Sequence, residues 1–224
     1  MNGINLKGFE VRSFMIKGLT AKWGIGENRV PPIWDTNLVG YWDARDLPNG
    51  AVSTVANKAT LATKAPDLTV TGATMADGTL QFDGVNDGAA TAPFMFPDRY
   101  TIFWDIDWLG DVNRAAGIAH GTDFHLWNIA SQQLIRFHLK TSNSNAQYPN
   151  SVVGISTAKL VYDKTGGAQT YTADVGTNTS NSPLYIGHSG GSAYTQLGFR
   201  QLLIFNKELS PAEVNEVLTV MFPV

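Results

Sequence analysis

Apolar and polar residues alternate with period two along much of the chain, and clusters of Gly, Asn, Asp and Ser interrupt the alternation. Period two sends successive side chains to opposite faces of a strand, so each stretch reads as a half-buried strand between turns. The pattern predicts strands at 38–42, 79–82, 100–109, 123–129, 133–141, 159–162, 169–175, 184–187 and 200–205. Asn49-Gly50, Asp83-Gly84, Thr165-Gly166-Gly167 and Ser189-Gly190-Gly191 supply turns. Many short strands at even spacing indicate an all-β antiparallel sandwich or barrel. In the last strand Leu202 and Ile204 share one face and Leu203 and Phe205 the other, the pattern of a strand covered on both sides.

Helical periodicity is convincing once. Ser210-Pro211-Ala212-Glu213 offers a hydroxyl at the N-cap, Pro at the first helical position and a carboxylate at the third, and Val214, Val217 and Leu218 then form one apolar face. This predicts a short C-terminal helix packed on the sandwich edge. The first 36 residues follow neither period. Phe9, Phe14, Ile16 and Trp23 stand isolated among glycines, and Pro31-Pro32 closes the segment as a stiff break. Two readings fit: an anchoring arm ahead of a domain at 37–224, or an extra strand pair on the sandwich. As an arm, its four large apolar residues would need a partner to leave water.

Composition narrows the function classes. With 16 Lys+Arg against 19 Asp+Glu, the net charge of −3 suits neither a nucleic-acid binder nor any strongly charged partner. The chain has 43% hydrophobic residues, enough for a substantial core, and only 16% charged ones, which suits a protein crowded among neighbours. The absence of Cys excludes disulfides, thiolate metal sites and a cysteine nucleophile. No apolar run is long enough to span a bilayer, and residues 1–19 alternate charge with apolar residues where an export signal would be continuously apolar.

Five motifs occur in a telling order: Leu38-Val39-Gly40-Tyr41-Trp42-Asp43, Leu80-Gln81-Phe82-Asp83-Gly84-Val85-Asn86-Asp87, Tyr100-Thr101-Ile102-Phe103-Trp104, Leu184-Tyr185-Ile186-Gly187, and the final strand and helix from Phe199 to Val214. Together they resemble the laminin-G-like, concanavalin A-like lectin and glucanase jelly rolls. That resemblance implies a two-sheet jelly-roll sandwich with one short C-terminal helix over 37–224. It also implies carbohydrate binding as the functional background, with Ca²⁺ at a sandwich rim in many members.

Glucanases of this family carry alternate Glu and Asp carboxylates on a central strand. The matching region here is Asp105-Ile106-Asp107-Trp108-Leu109-Gly110-Asp111, which lacks both glutamates, so a non-enzymatic protein is expected. Asp105 and Asp107 instead read as a polar sheet face opposite Ile102, Trp104, Ile106 and Trp108. Arg136, His138 and Lys140 are expected on the same face as Asp105 and Asp107, with His125 and Trp127 joining them as glycan-binding candidates. Asp83, Asn86 and Asp87 offer three side-chain oxygens around one turn, a weak Ca²⁺ candidate that a self-capping turn explains without metal. The four histidines, at 120, 125, 138 and 188, lack metal-ligand spacing.

The resulting expectation is a virion-associated structural or adhesion protein. Lectin-like domains of this kind recur on bacteriophage tails and capsid surfaces. It would be present in many copies or as a homo-oligomer, joined to other assembly proteins through residues 1–36, with a cell-surface glycan as a further partner and no required cofactor. The alternatives are a free carbohydrate-binding protein, extracellular or on a cell surface, and a glycan hydrolase.

Overall fold

The computed structural model describes residues 15–16, 19–20, 36–98, 100–109, 115–121, 124–129, 134–139, 142–147, 153–156, 160–163, 168–170 and 180–221. Strands are numbered β1 to β21 along the chain, and those of the two main sheets pair antiparallel throughout. A nine-stranded sheet runs in the order β18 (Ala168–Thr170), β17 (Leu160–Asp163), β16 (Val153–Ser156), β11 (Thr101–Trp108), β21 (Gln196–Phe205), β8 (Thr79–Asp83), β7 (Thr74–Ala76) and β4 (Gly50–Ala51). Its remaining strand, β3 (Leu38–Asp43), pairs with the second half of β21, while β8 pairs with the first half. An eight-stranded sheet runs β15 (Ser142–Gln147), β14 (Leu134–Leu139), β13 (Phe124–Ile129), β12 (Ala115–His120), β20 (Leu184–Ile186), β9 (Gly88–Thr91), β6 (Leu68–Thr71) and β5 (Thr54–Val55). Two short pairs stand apart from both: β10 (Phe94–Met95) with β19 (Asn181–Ser182), and β1 (Met15–Ile16) with β2 (Leu19–Thr20).

The larger and smaller sheets share one core. Trp42, Leu80, Phe82, Ile102, Trp104, Ile106, Leu197, Phe199, Leu202 and Ile204 from the larger sheet meet Leu68, Val70, Ala89, Ile118, Leu184 and Ile186 from the smaller. This is a two-layer all-β sandwich, one of the two architectures that the alternation allowed and the one that the resemblance implied. A second cluster lies on the outer face of the larger sheet, where Leu38, Tyr41, Phe103, Leu203 and Phe205 pack under Leu209, Val214 and Val217. The helix α1 (Pro211–Met221) therefore covers the middle of a sheet face rather than the sandwich edge that the sequence suggested. The reason is legible in β21 itself: a strand with large apolar residues on both faces needs a second cover. Thr101 ties this cover down, its hydroxyl donating to the Lys207 carbonyl at 3.0 Å and accepting from the Leu209 N–H at 3.0 Å.

Two irregularities set what the larger sheet presents. Between Asp105 and Ile106 the pairing shifts from Gln201 to Phe199, so Arg200 is an extra residue in β21. A bulge of this kind re-aims side chains. In β3 the pairing shifts between Leu38 and Gly40, and Gly40 then lies beneath Trp42: a Cβ there would come within 2.4 Å of the indole. Beside it, buried Asn57 fastens the 57–67 segment to β3. Its Oδ1 accepts from the N–H groups of Tyr41 and Ala59, and its Nδ2 donates to the carbonyls of Val39 and Ala65.

Candidate functional site

The outer face of the larger sheet carries Asp105 and Asp107, and the bulged Arg200 reaches both. Its Nη1 donates to Asp105 Oδ1 at 2.9 Å and its Nη2 to Asp107 Oδ2. Asp43 continues the network as a buried carboxylate that accepts from Arg45 Nε at 2.9 Å, Arg45 Nη2 at 2.7 Å and the Tyr41 hydroxyl at 3.0 Å. Burial pushes the Asp43 carboxyl up, but the Arg45 hydrogen bonds and charge, with Lys58 beyond, outweigh it and hold the group below its usual range. Burial and the Asp43 charge together push the Tyr41 hydroxyl up. Each of these carboxylates faces a guanidinium. Acid/base hydrolysis needs one carboxyl that carries a proton and another free to attack or activate water. Here one arginine bridges both aspartates, Nη1 to Asp105 and Nη2 to Asp107.

The Asp83 turn is likewise self-contained. Asp83 Oδ1 accepts from the N–H groups of Val85, Asn86 and Asp87 at 2.7, 3.2 and 3.4 Å, and Asp87 Oδ2 accepts from the Asp83 N–H at 3.0 Å. These backbone donors, the Val85 N–H foremost, hold the exposed Asp83 carboxyl below its usual range. Gly84 adopts φ 77° and lies so close to the Gln196 backbone that a Cβ would meet its N at 2.7 Å. One side-chain oxygen each of Asp83 and Asp87 is thus engaged in closing the turn. Among the described residues no group of three or more His, Cys, Asp or Glu stands where it could hold a metal ion.

The remaining glycan-binding candidates lie elsewhere than expected. His125 is directly opposite His138 across β13 and β14, and Trp127 directly opposite Arg136. Those four positions share a face, as the alternation predicts, but the face belongs to the smaller sheet. Ala119 on that sheet pairs with both His125 and Tyr185, whereas Ile118, Leu184 and Ile186 turn into the shared core, so this is the outer face. Asp105 and Asp107 are on the opposite side of the sandwich. The expectation of one face carrying all seven is corrected: period two fixes which residues of a strand share a face, not which sheet the strand joins. Lys140 lies outside the described residues.

The same outer face holds a cluster that the sequence reading did not single out. Tyr185 of β20 is paired between Ala90 and Ala119. After β20 the chain folds back through Gly187, Gly190 and Gly191, at φ 82°, 65° and 85°. This return lays His188 over Gly88, where a Cβ would come within 2.2 Å of the imidazole. The His188 ring centroid is 4.9 Å from that of Tyr185 and 5.4 Å from that of Tyr194. Its Nδ1 accepts from the Gly191 N–H at 2.8 Å, and burial lowers its pKa, which favours the neutral ring. The available signal was Ser189-Gly190-Gly191 beside two aromatics, but its partner Gly88 is distant in sequence. The fourth histidine, His120, is buried between Phe94 and Phe96, its Nε2 3.1 Å from the Phe94 carbonyl oxygen.

Of the arm candidates, Phe9, Phe14 and Trp23 lie outside the described residues. Ile16 is in β1, opposite Leu19, and the β1–β2 pair joins neither large sheet among the described residues. No helix among the described residues is long and apolar enough to cross a membrane.

No family model matches the chain, and no curated protein matches it. Solved structures do. Trypanosoma rangeli sialidase superimposes with a TM-score of 0.60 at 16% identity, over 82% of this chain and 32% of that one. The botulinum neurotoxin serotype D binding domain superimposes with a TM-score of 0.61 at 12% identity, over 84% of this chain and 52% of that one. The chain thus spans about a third of the sialidase and about half of the binding domain. At such identities the likeness is one of fold, an all-β sandwich.

Proposed function

We propose that this chain is a non-enzymatic carbohydrate-binding module that uses the outer face of the smaller sheet. The observation that carries the reading is the register of β13 and β14, which places Trp127, Arg136, His125 and His138 in two adjacent cross-strand pairs on a face that no helix among the described residues covers. An aromatic residue next to an arginine and imidazoles is the combination that sugar rings and hydroxyls call for, apolar C–H surface on one side and planar donors on the other. The fold-level likeness to a sialidase and a toxin binding domain agrees with this reading as analogy. Against hydrolysis stands the bridging of Asp105 and Asp107 by Arg200.

The finer part of the proposal is that the module is displayed in many copies on a virion-type particle, phage tail or capsid, with residues 1–36 as its attachment. The low charge of the whole chain and the isolated apolar residues of that segment support it. Glycan-array binding by the full chain is the test. Binding that is lost in Trp127→Ala and Arg136→Ala but kept in Asp105→Asn/Asp107→Asn is expected. Binding indifferent to the first two substitutions, or glycan cleavage abolished by the last pair, would overturn the reading.

A further inference from the structure

Between Thr69 and Tyr185 the outer face of the smaller sheet has a low floor. Thr69 pairs with Ala90, and Ala90 pairs with Tyr185, so the three positions form one row across β6, β9 and β20. Strands two apart in a sheet are separated by roughly 9–10 Å. Ala90 therefore floors a trough one strand wide, with exposed Thr69 and Thr71 along one wall and half-buried Tyr185 along the other. His188, stacked over Gly88 and steadied by the Gly191 N–H, closes one end, with Tyr194 behind it.

We propose that this trough is a second saccharide subsite, selective for an uncharged pyranoside. The inference rests on the carbohydrate-binding reading and extends it to residues three strands away from the Trp127–Arg136 pair. A pyranose has an apolar C–H face for the Tyr185 ring and equatorial hydroxyls for Thr69, Thr71 and the Tyr185 hydroxyl. Charge sets the selectivity. An anionic sugar carboxylate entering the trough would lose hydration with no cation among the described wall residues to replace it, because those are hydroxyls, an aromatic ring and an imidazole whose pKa burial lowers, and Arg136 lies on β14, several strands along the sheet. Arg45 and Arg200 are on the far side of the sandwich, engaged with Asp43, Asp105 and Asp107.

Amide chemical-shift titration of the full chain with methyl β-D-galactopyranoside, methyl α-D-glucopyranoside and methyl α-N-acetylneuraminoside tests the assignment. The expected result is saturable shifts at Ala90, Tyr185 and Gly191 with at least one neutral glycoside and none there with the acidic one. Tyr185→Ala should weaken the neutral glycoside by about tenfold, the scale of one lost aromatic contact. Because Tyr185 also packs against His188, Ala90→Leu is the second variant. It fills the trough from an outward position, should preserve the melting temperature, and should abolish the same shifts. Neutral binding that survives Ala90→Leu, or an acidic sugar occupying the trough, overturns the subsite. If sugar binding persists in both variants but is lost in Arg136→Ala, the subsite falls and the carbohydrate reading stands. If no sugar produces saturable shifts anywhere, both fall.

Discussion

Asn57 carries an unusual share of the order around β3 for a single neutral side chain. It is buried and serves four backbone groups: the N–H groups of Tyr41 and Ala59 through Oδ1, and the carbonyls of Val39 and Ala65 through Nδ2. A fifth contact runs from its own N–H to Asp67 Oδ1 at 2.8 Å. Leucine has nearly the same shape but neither donor nor acceptor, so Asn57→Leu strands several buried polar groups at once. Each such group costs about 1–3 kcal/mol, and a loss of about 3 kcal/mol or more is expected as a lowered denaturant midpoint with little change in slope. A shift below about 0.5 kcal/mol, the range of an ordinary surface substitution, would show that water replaces those bonds. In the sequence Asn57 looks like any loop asparagine. Its partners are met only after residues 57–67 have folded against β3, and local pattern carries no trace of that. Asp83 is the contrary case, because its three partners are its next few neighbours, and Asp-Gly announces the turn directly.

Elements divide the same way, by whether their cause is local. The start of α1 is written in four consecutive residues, and the structure repeats it bond for bond. The Ser210 N–H donates to Glu213 Oε2 at 2.8 Å, the Glu213 N–H to Ser210 Oγ at 3.4 Å, and Lys207 Nζ reaches Glu213 Oε1 at 2.6 Å. β3, β11 and β21 were legible because large apolar residues mark them. β9, with Gly-Ala-Ala-Thr, and β15, with Ser-Asn-Ser-Asn-Ala-Gln, are not, since small or polar residues give no alternation to read. The Arg200 bulge was also hidden, and with it the pairing of Arg200 with the two aspartates: register belongs to the pair of strands, not to one. The capping box yields a prediction in pH. The Lys207 hydrogen bond first, then the Ser210 N–H, holds the Glu213 carboxyl below its usual value. The folded state thus binds this proton less readily than the unfolded chain. The contribution of Glu213 is complete above the ordinary glutamate range and fades as pH falls through the lowered folded value. The difference in melting between the parent and Glu213→Gln should therefore be full at pH 7 and shrink as pH falls below the ordinary glutamate range. Ser210→Ala, which removes the capping hydroxyl, should cost about 1 kcal/mol. A parent–variant gap that stays constant from pH 7 to pH 3 would remove the charged hydrogen bonds from the account.

At the scale of the molecule, the two outer faces have different fates. On the larger sheet α1 covers the apolar middle, and Arg45 and Arg200 answer Asp43, Asp105 and Asp107. The outer face of the smaller sheet instead keeps half-buried aromatics, hydroxyls and histidine positions beside one another, which is why the proposed sites lie there. Among the described residues this division draws on none before Asn37. The first strand to join the sandwich among the described residues is β3, beginning at Leu38, and the Asn37 carbonyl accepts from the Asn206 N–H at 2.8 Å. Both buried clusters, again among the described residues, draw their members from Leu38 onward. A chain comprising residues 37–224 should then fold as one cooperative unit, and its melting temperature should fall within a few degrees of the parent's, the change expected for about 1 kcal/mol or less. Glycan affinity measured on the isolated chain should be unchanged, while incorporation into any native particle should be lost. A truncated protein that is unfolded, or that melts far below the parent, would make residues 1–36 part of the sandwich and leave the assembly without its proposed attachment. Full incorporation of the truncated chain would move that attachment onto the sandwich itself, where the outer face of the larger sheet, with its paired charges, would be the first place to substitute.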